Sequence, residues 1–443
     1  MTSSQTLLRG STISFRKDPF LYPAAECFDY HSDGGILIQA GKIIVAGAFA
    51  QVQQSAHADA QIIHYPNSII SAGFIDTHVH YPQTQMVAAF GEQLLQWLEK
   101  YTFITEQQFA DKAHADRIAD FFLHELLRNG VTTAAVYCTV HPQSVDAFFE
   151  ASQRLNTLMI AGKVLMDRNA PAALLDTAQR GYDESKTLIE RWHGNGRQHY
   201  CITPRFAGTS TEAQLDVAGN LWREFPSTFM QTHLSENKDE VNWMRELYPH
   251  RDSYLDIYAH ANLLGSRSLY AHCIHIDEND LSQLHHTGSA IAHCPTSNLF
   301  LGSGLFKLFD AKRIERPVRV GIGSDIGAGT SFSPLQSLNE AYKIARLHGD
   351  KLDALRAFYL ATRGGAHALY LDDRIGSIEA GMDADLVVLD LHATPLLKMR
   401  TDYARDINEL LFILIMLGDD RCTRATYVAG ECVFPAQQDA KDK

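Results

Sequence analysis

The sequence predicts an α/β protein: a (β/α)8 TIM-like barrel carrying a small β-sandwich domain built from the N- and C-terminal segments. Three observations point there. Eight apolar, strand-like runs alternate with helix-length stretches between residues 69 and 325, the recurrence that a parallel barrel requires. Both ends of the chain are instead β-rich and punctuated by turns. Finally, run after run closes on a histidine, an arginine or a carboxylate, at the strand ends where a barrel carries its active site. A doubly wound parallel sheet is the main rival. The pattern sets the boundaries at 1–70 and 377–443 for the small domain and 71–376 for the barrel.

Along the chain, GGILIQAGKIIVAGAF supplies two β-rich runs about Ala40-Gly41, a hairpin signal. Residues 69–80, IISAGFIDTHVH, read as one buried parallel strand, since Ile69, Ile70, Phe74 and Ile75 form an apolar run that ends in His78 and His80. Side chains at i and i+2 of a strand share a face, so the two imidazoles can grip one metal ion. With 21 histidines in 443 residues, about one H-x-H pair is expected by chance, so this one gains weight only from partners downstream.

The segment GEQLLQWLEKYTFITEQQF then places Leu94, Trp97, Leu98 and Tyr101 at helical spacing and reads as a core-facing helix. DRIADFFLHELLRNG is a helical pattern stopped by Asn129-Gly130. Strands follow at 131–140, 158–166, 199–206, 228–236, 268–275, 289–295 and 318–325. Beyond about residue 370, GSIEAGMDADLVVLD and ATYVAGECVF return to strand-like segments, with NELLFILIMLGDD between them as a short buried helix closed by Gly418. The QQDAKDK tail is expected to be disordered.

Composition narrows the function classes. Hydrophobic content of 45% and charged content of 21% belong to an ordinary globular chain. Lys+Arg 39 against Asp+Glu 52 gives a net charge of −13, which argues against a sequence-independent grip on nucleic-acid phosphates or on an anionic membrane. The seven cysteines are scattered and contain no C-x-x-C, so they read as reduced cytosolic thiols. No signal peptide is visible, and the longest apolar run, Leu410 to Leu417, is far short of a membrane span. A cytoplasmic protein acting on a small neutral or cationic molecule fits best.

The predicted strand ends carry His78 and His80, Arg205, His233 and Glu236, His272 and His275, His293, and Asp325. Each alone has an ordinary structural explanation, as a cap, a core histidine or a solvated acid. Their shared place at one rim is what makes the set informative. Three histidines and a carboxylate suit a divalent transition metal, zinc or iron, with a position left open for water. Such an ion brings the pKa of water toward neutrality. Glu236, three residues beyond His233, is then placed to move the water's proton to a substrate, and His272 to polarise the reacting centre or stabilise developing charge. Other motifs fail: GIGSDIGAG lacks the third glycine of a dinucleotide loop, and the H-x-E and P-C-x-x-C signature of nucleic-acid zinc deaminases is absent.

With these residues in view the chain resembles the amidohydrolase superfamily and, within it, the guanine deaminase (guanine aminohydrolase) family. GFIDTHVHYPQ, LLQWLEKYTF, ITPRFAGTS, THLSENKDE, AHCPTSNLFLGSG and GSIEAGMDADLVV carry the resemblance over nearly the whole chain, with HYPQ, TPRF and THLSEN the most specific. The resemblance implies metal ligation by His78, His80, His233 and Asp325, one Zn2+ per chain with Fe2+ as the alternative, a proton shuttle at Glu236, and a further active-site histidine at His272. It implies guanine contacts from Gln83, Arg205 and Phe206, and a homodimer. The implied reaction is metal-hydroxide attack on purine carbon 2 of guanine, giving xanthine and ammonia in purine catabolism. No lysine ends strand four, where two-metal relatives carry a carboxylated one, so a single ion is expected. Proton movement is open among Glu236, His272 and Asp325. Two other readings stay open: the same metal site acting on another purine, a pterin or a cyclic amide, and a metal-stabilised scaffold that binds partners through its acidic surface.

Overall fold

A computed structural model describes residues 4–435, and the QQDAKDK tail lies outside the described residues. Eight parallel strands lie in chain order: β1 (Phe74–His80), β2 (Val131–Tyr137), β3 (Leu158–Gly162), β4 (Gln198–Pro204), β5 (Phe229–Leu234), β6 (Ser268–His272), β7 (Ala290–His293) and β8 (Arg319–Ile322). A two-residue strand, Val164–Leu165, prolongs the third position and also pairs with β4. The barrel is nearly closed where β8 returns to β1: Asp325 N–H donates to His78 O (2.8 Å) and His80 N–H to Ile326 O (3.0 Å). Every residue of β1 and β2 is buried, because barrel interior and helices cover both faces, and that is why these strands read as continuous apolar runs.

The helices follow the same logic. Lys112–Arg128 starts at Asp111, whose carboxylate accepts from Ala113 N–H, and stops at Asn129, followed by Gly130 at φ +76°. Ala115, Ile118, Ala119, Phe122, Leu123 and Leu126 form its buried stripe at helical spacing.

The terminal segments form one continuous seven-stranded mixed sheet, in the order Glu431–Pro435, Thr423–Val428, Leu386–Asp390, Gln61–Ala72, Gln5–Phe15, Phe28–Gln39 and Lys42–Ala48. One face gathers Leu8, Ile36, Ile43, Ile70, Leu386, Val388 and Tyr427 into a core of its own. The hairpin expected at Ala40-Gly41 is present, both residues lying at positive φ (50° and 78°), the backbone that matches strand twist in a two-residue turn. Within 377–443, the helices Pro395–Thr401 and Ile407–Leu417 belong to the barrel's flank: Leu411 and Leu414 share the main core with Leu335 and Leu338, and Gln336 and Asn339 donate to Gly418 O and Met416 O.

One expectation needs correction. The run 69–80 is two strands, not one: residues through Ala72 belong to the small sheet, and the barrel strand begins at Phe74. Gly73 makes the crossing. Its N–H donates to Asp385 O (2.8 Å), and a Cβ there would lie 2.2 Å from Thr132 Oγ1. Hydrophobic periodicity is blind to this junction because both strands are buried. Gly73→Ala is expected to cost about 1–3 kcal/mol through overpacking, read as a lower urea midpoint at unchanged slope.

All seven cysteines are free, six of them buried and Cys432 exposed. Among the described residues no helix is long and apolar enough to cross a membrane.

Candidate active site

The carboxyl ends of the barrel strands converge on one cavity. β1 ends in His78 and His80, side by side on one face with ring centroids 4.9 Å apart. β5 contributes His233, and the loop after β8 contributes Asp325. His80 Nε2 lies 3.2 Å from His233 Nε2, while Asp325 Oδ1 lies 3.2 Å from His78 Nε2 and 3.4 Å from His80 Nε2.

This donor set fits a divalent metal. His233 Nδ1 donates to the Arg205 carbonyl (2.7 Å), and since a carbonyl can only accept, Nε2 of a neutral ring must present its lone pair to the cavity. Burial pushes His78, His80 and His233 below their ordinary pKa, holding them as neutral imidazoles, the form in which a histidine can ligate a metal. One ligand atom from each of these three histidines lies within 4.8 Å of those of the others, and among the described residues His78 Nε2, although 3.2 Å from Asp325 Oδ1, makes no hydrogen bond of good geometry. Buried polar atoms left unpaired cost free energy, and a shared cation removes that cost.

Beside the donor set stand the candidate proton carriers. Glu236 follows β5 and is 3% exposed; burial raises its carboxyl to about 7. Its Oε2 lies 3.5 Å from His272 Nε2, and Oε1 accepts from Ser303 Oγ (3.3 Å). Burial alone would lower His272, but the carboxylates of Glu236 and Asp325 outweigh it and the net shift is upward. Burial works to raise Asp325 as well, yet His78 and His272 hold it below the ordinary carboxylate range. Asn298 Oδ1 sits 2.8 Å from His272 Nδ1 and fixes that ring.

The backbone at this rim is unusual. Ser235, His272, Cys273 and Asp325 all take positive φ, between 51° and 71°. Left-handed backbone is costly for residues with a Cβ, and its concentration at the ends of β5, β6 and β8 is typical of a site that aims side chains inward.

The same cavity is lined by Gln83, Arg205 and Phe206, so all nine residues named in advance for metal, proton transfer and base contact fall in one place, His78 directly behind the lining. Two other strand-end histidines do not. His275 turns away to the carbonyl of Ser303 (2.8 Å), and His293 packs on the Phe306 ring with its pKa driven down to about 3 by burial.

The segment read as an ordinary core helix does more than fill space. It breaks into short turns with a π-helical stretch at Leu98–Thr102, and Leu94, Trp97 and Leu98 form an apolar wall of the cavity. From it comes Glu106, which sequence reasoning missed: fully buried, it accepts from Arg205 Nη1 (2.9 and 2.8 Å to its two oxygens) and from Gln83 Nε2 (3.0 Å). Its only signal was an acid within an apolar stretch. Glu240 was missed as well; it accepts from the N–H groups of Glu236 (2.8 Å) and Asn237 (3.1 Å) and from Tyr254 OH (2.7 Å), pinning the loop that carries Glu236.

The fold and sequence recur in known proteins. The model of the amidohydrolase family matches residues 69–433. The chain is 51% identical over 410 residues to guanine deaminase of Escherichia coli, covering 93% of each protein. The solved structure of that E. coli protein superposes with a TM-score of 0.94 at 49% identity, covering 97% of this chain and 99% of the other. Guanine deaminase from C. acetobutylicum, solved with guanine bound in its active site, gives a TM-score of 0.86 at 28% identity, covering 97% of this chain and 100% of the other.

Proposed function

This chain belongs to the amidohydrolase family, among its guanine deaminases, and from that membership we infer that the barrel-rim cavity hydrolyses guanine to xanthine and ammonia. It is a hydrolase acting on a C–N bond. The observation that carries the assignment of roles is the meeting in one cavity of the converging histidine and aspartate donors, Glu236, and the Gln83–Arg205–Phe206 group.

We propose that His78, His80, His233 and Asp325 hold one Zn2+. When bound, the ion supplies the Lewis acidity that brings the pKa of water toward neutrality. Lys163, the buried lysine just past β3, is committed to Asp176 and Glu184, in keeping with a single ion. Phe206 and the apolar wall of Leu94, Trp97 and Leu98 exclude bulk water from the planar base. Arg205 can only donate, so it suits the oxygen at position 6, which accepts, and opposes adenine, which presents an amine there. Glu236 takes the proton of the attacking water and returns it to the departing 2-amino nitrogen, so that a C2–O bond forms, the C2–N bond breaks, and ammonia leaves. His272, 3.5 Å from Glu236 and 3.8 Å from Asp325, stabilises charge on the reacting edge.

Purified zinc-loaded protein is expected to release ammonia from guanine and form xanthine. A rate equal to the buffer blank would sink the assignment, and a preference for a pterin or a cyclic amide in the same assay would move it elsewhere in the family. Chelation is expected to abolish turnover, with about one equivalent of zinc restoring it. The same reading makes the enzyme a cytoplasmic homodimer, which light scattering on the eluting species would contradict by returning the mass of one chain.

A further inference from the structure

Guanine and 2,6-diaminopurine carry the same 2-amino group, so chemistry at carbon 2 cannot tell them apart. They differ on the opposite edge: guanine offers an N1–H donor and an O6 acceptor, the diamino base an N1 acceptor and an amine donor at position 6. Discrimination therefore requires an acceptor and a donor fixed side by side in the cavity. Gln83 and Arg205 stand there, but a glutamine amide is ambiguous, since rotation by half a turn exchanges its oxygen for its nitrogen.

We infer that Glu106 is the positioning residue that sets this donor–acceptor pattern and so decides which purine the site accepts, an inference that rests on the guanine reading above. Glu106 does not line the cavity; it is 0% exposed and stands behind both contacts. Its carboxylate only accepts. It therefore forces the Gln83 amide nitrogen toward itself, Nε2 donating at 3.0 Å, and leaves Oε1 as the group Gln83 can offer elsewhere. A second contact agrees: Gly327 N–H approaches that same oxygen at 3.4 Å, so both neighbours select one orientation. The same carboxylate holds Arg205 Nη1 at 2.8 and 2.9 Å and offsets its charge, so that the guanidinium stays in place as a donor with no need for an anionic ligand. One buried acid thus presents an acceptor through Gln83 and a donor through Arg205, the complement of guanine and the opposite of 2,6-diaminopurine.

Glu106→Gln keeps the volume but can donate, which frees the Gln83 amide to turn. The test compares kcat/KM for ammonia release from guanine and from 2,6-diaminopurine, with metal content measured in each preparation. The wild type is expected to prefer guanine by about 10⁴-fold. E106Q is expected to lower that ratio by about 10²-fold, while E106D, which can still only accept, loses turnover on both bases and keeps the ratio within about threefold. Equal losses on both bases in E106Q, or a ratio that collapses as far in E106D, would overturn the inference. If E106Q yields no folded protein, the ratio in E106D decides alone, retained or collapsed. Wild-type protein inactive on guanine would instead remove the functional reading itself.

Discussion

Glu236→Gln is expected to leave fold and metal content intact and to lower kcat/KM for guanine by at least about 10²-fold. Glutamine matches the volume of the buried carboxyl and keeps an oxygen for Ser303 Oγ, but it can neither take a proton from water nor return one to the leaving nitrogen. Its stability effect has the opposite sign. Burial raises the Glu236 carboxyl from 4.5 to about 7 in the folded chain, so ionisation costs folding free energy that is absent below 4.5, grows as pH rises from 4.5 to about 7, and is fully present above that. Glutamine carries no such cost, and metal-free E236Q should unfold at no lower denaturant concentration than metal-free wild type at pH 8. Unchanged turnover would remove Glu236 from the mechanism. Loss of metal together with activity would make it a structural support of the donor set.

Arg205→Leu is expected to cost about 3–5 kcal/mol of stability in addition to guanine turnover, because it strands Glu106 as an uncompensated buried charge. The pair is closed from water on both sides, at 3% and 0% side-chain exposure, so solvent cannot take over the role of the lost guanidinium. The double variant Arg205→Leu, Glu106→Leu removes both charges and is expected to recover most of that stability while guanine turnover stays lost, a non-additive cycle that separates the folding role of the pair from its substrate role. Additive destabilisation in the double variant would show that the two side chains act independently.

The sequence by itself determined the architecture and where along the strands the candidate donors fall. Strand alternation put His78 and His80 on one face, and the recurrence of apolar runs put His233, Glu236, His272 and Asp325 at the ends of the fifth, sixth and eighth strands. Those features are local or periodic, and a barrel turns periodic position into spatial convergence without further information. Only the tertiary structure decided the rest. The division of residues 69–80 at Gly73 depends on Asp385 and Thr132, both distant in sequence. His275 lies beyond the point where the backbone leaves β6 at His272, so strand position does not fix where its ring points, and His293, still within β7, is taken up by packing on Phe306. Glu106 meets Arg205 across 99 positions of chain and Gln83 across 23. No periodicity encodes such a meeting; it follows from how the short turns after β1 pack over the barrel mouth, where a buried acid must find its donors or not be tolerated.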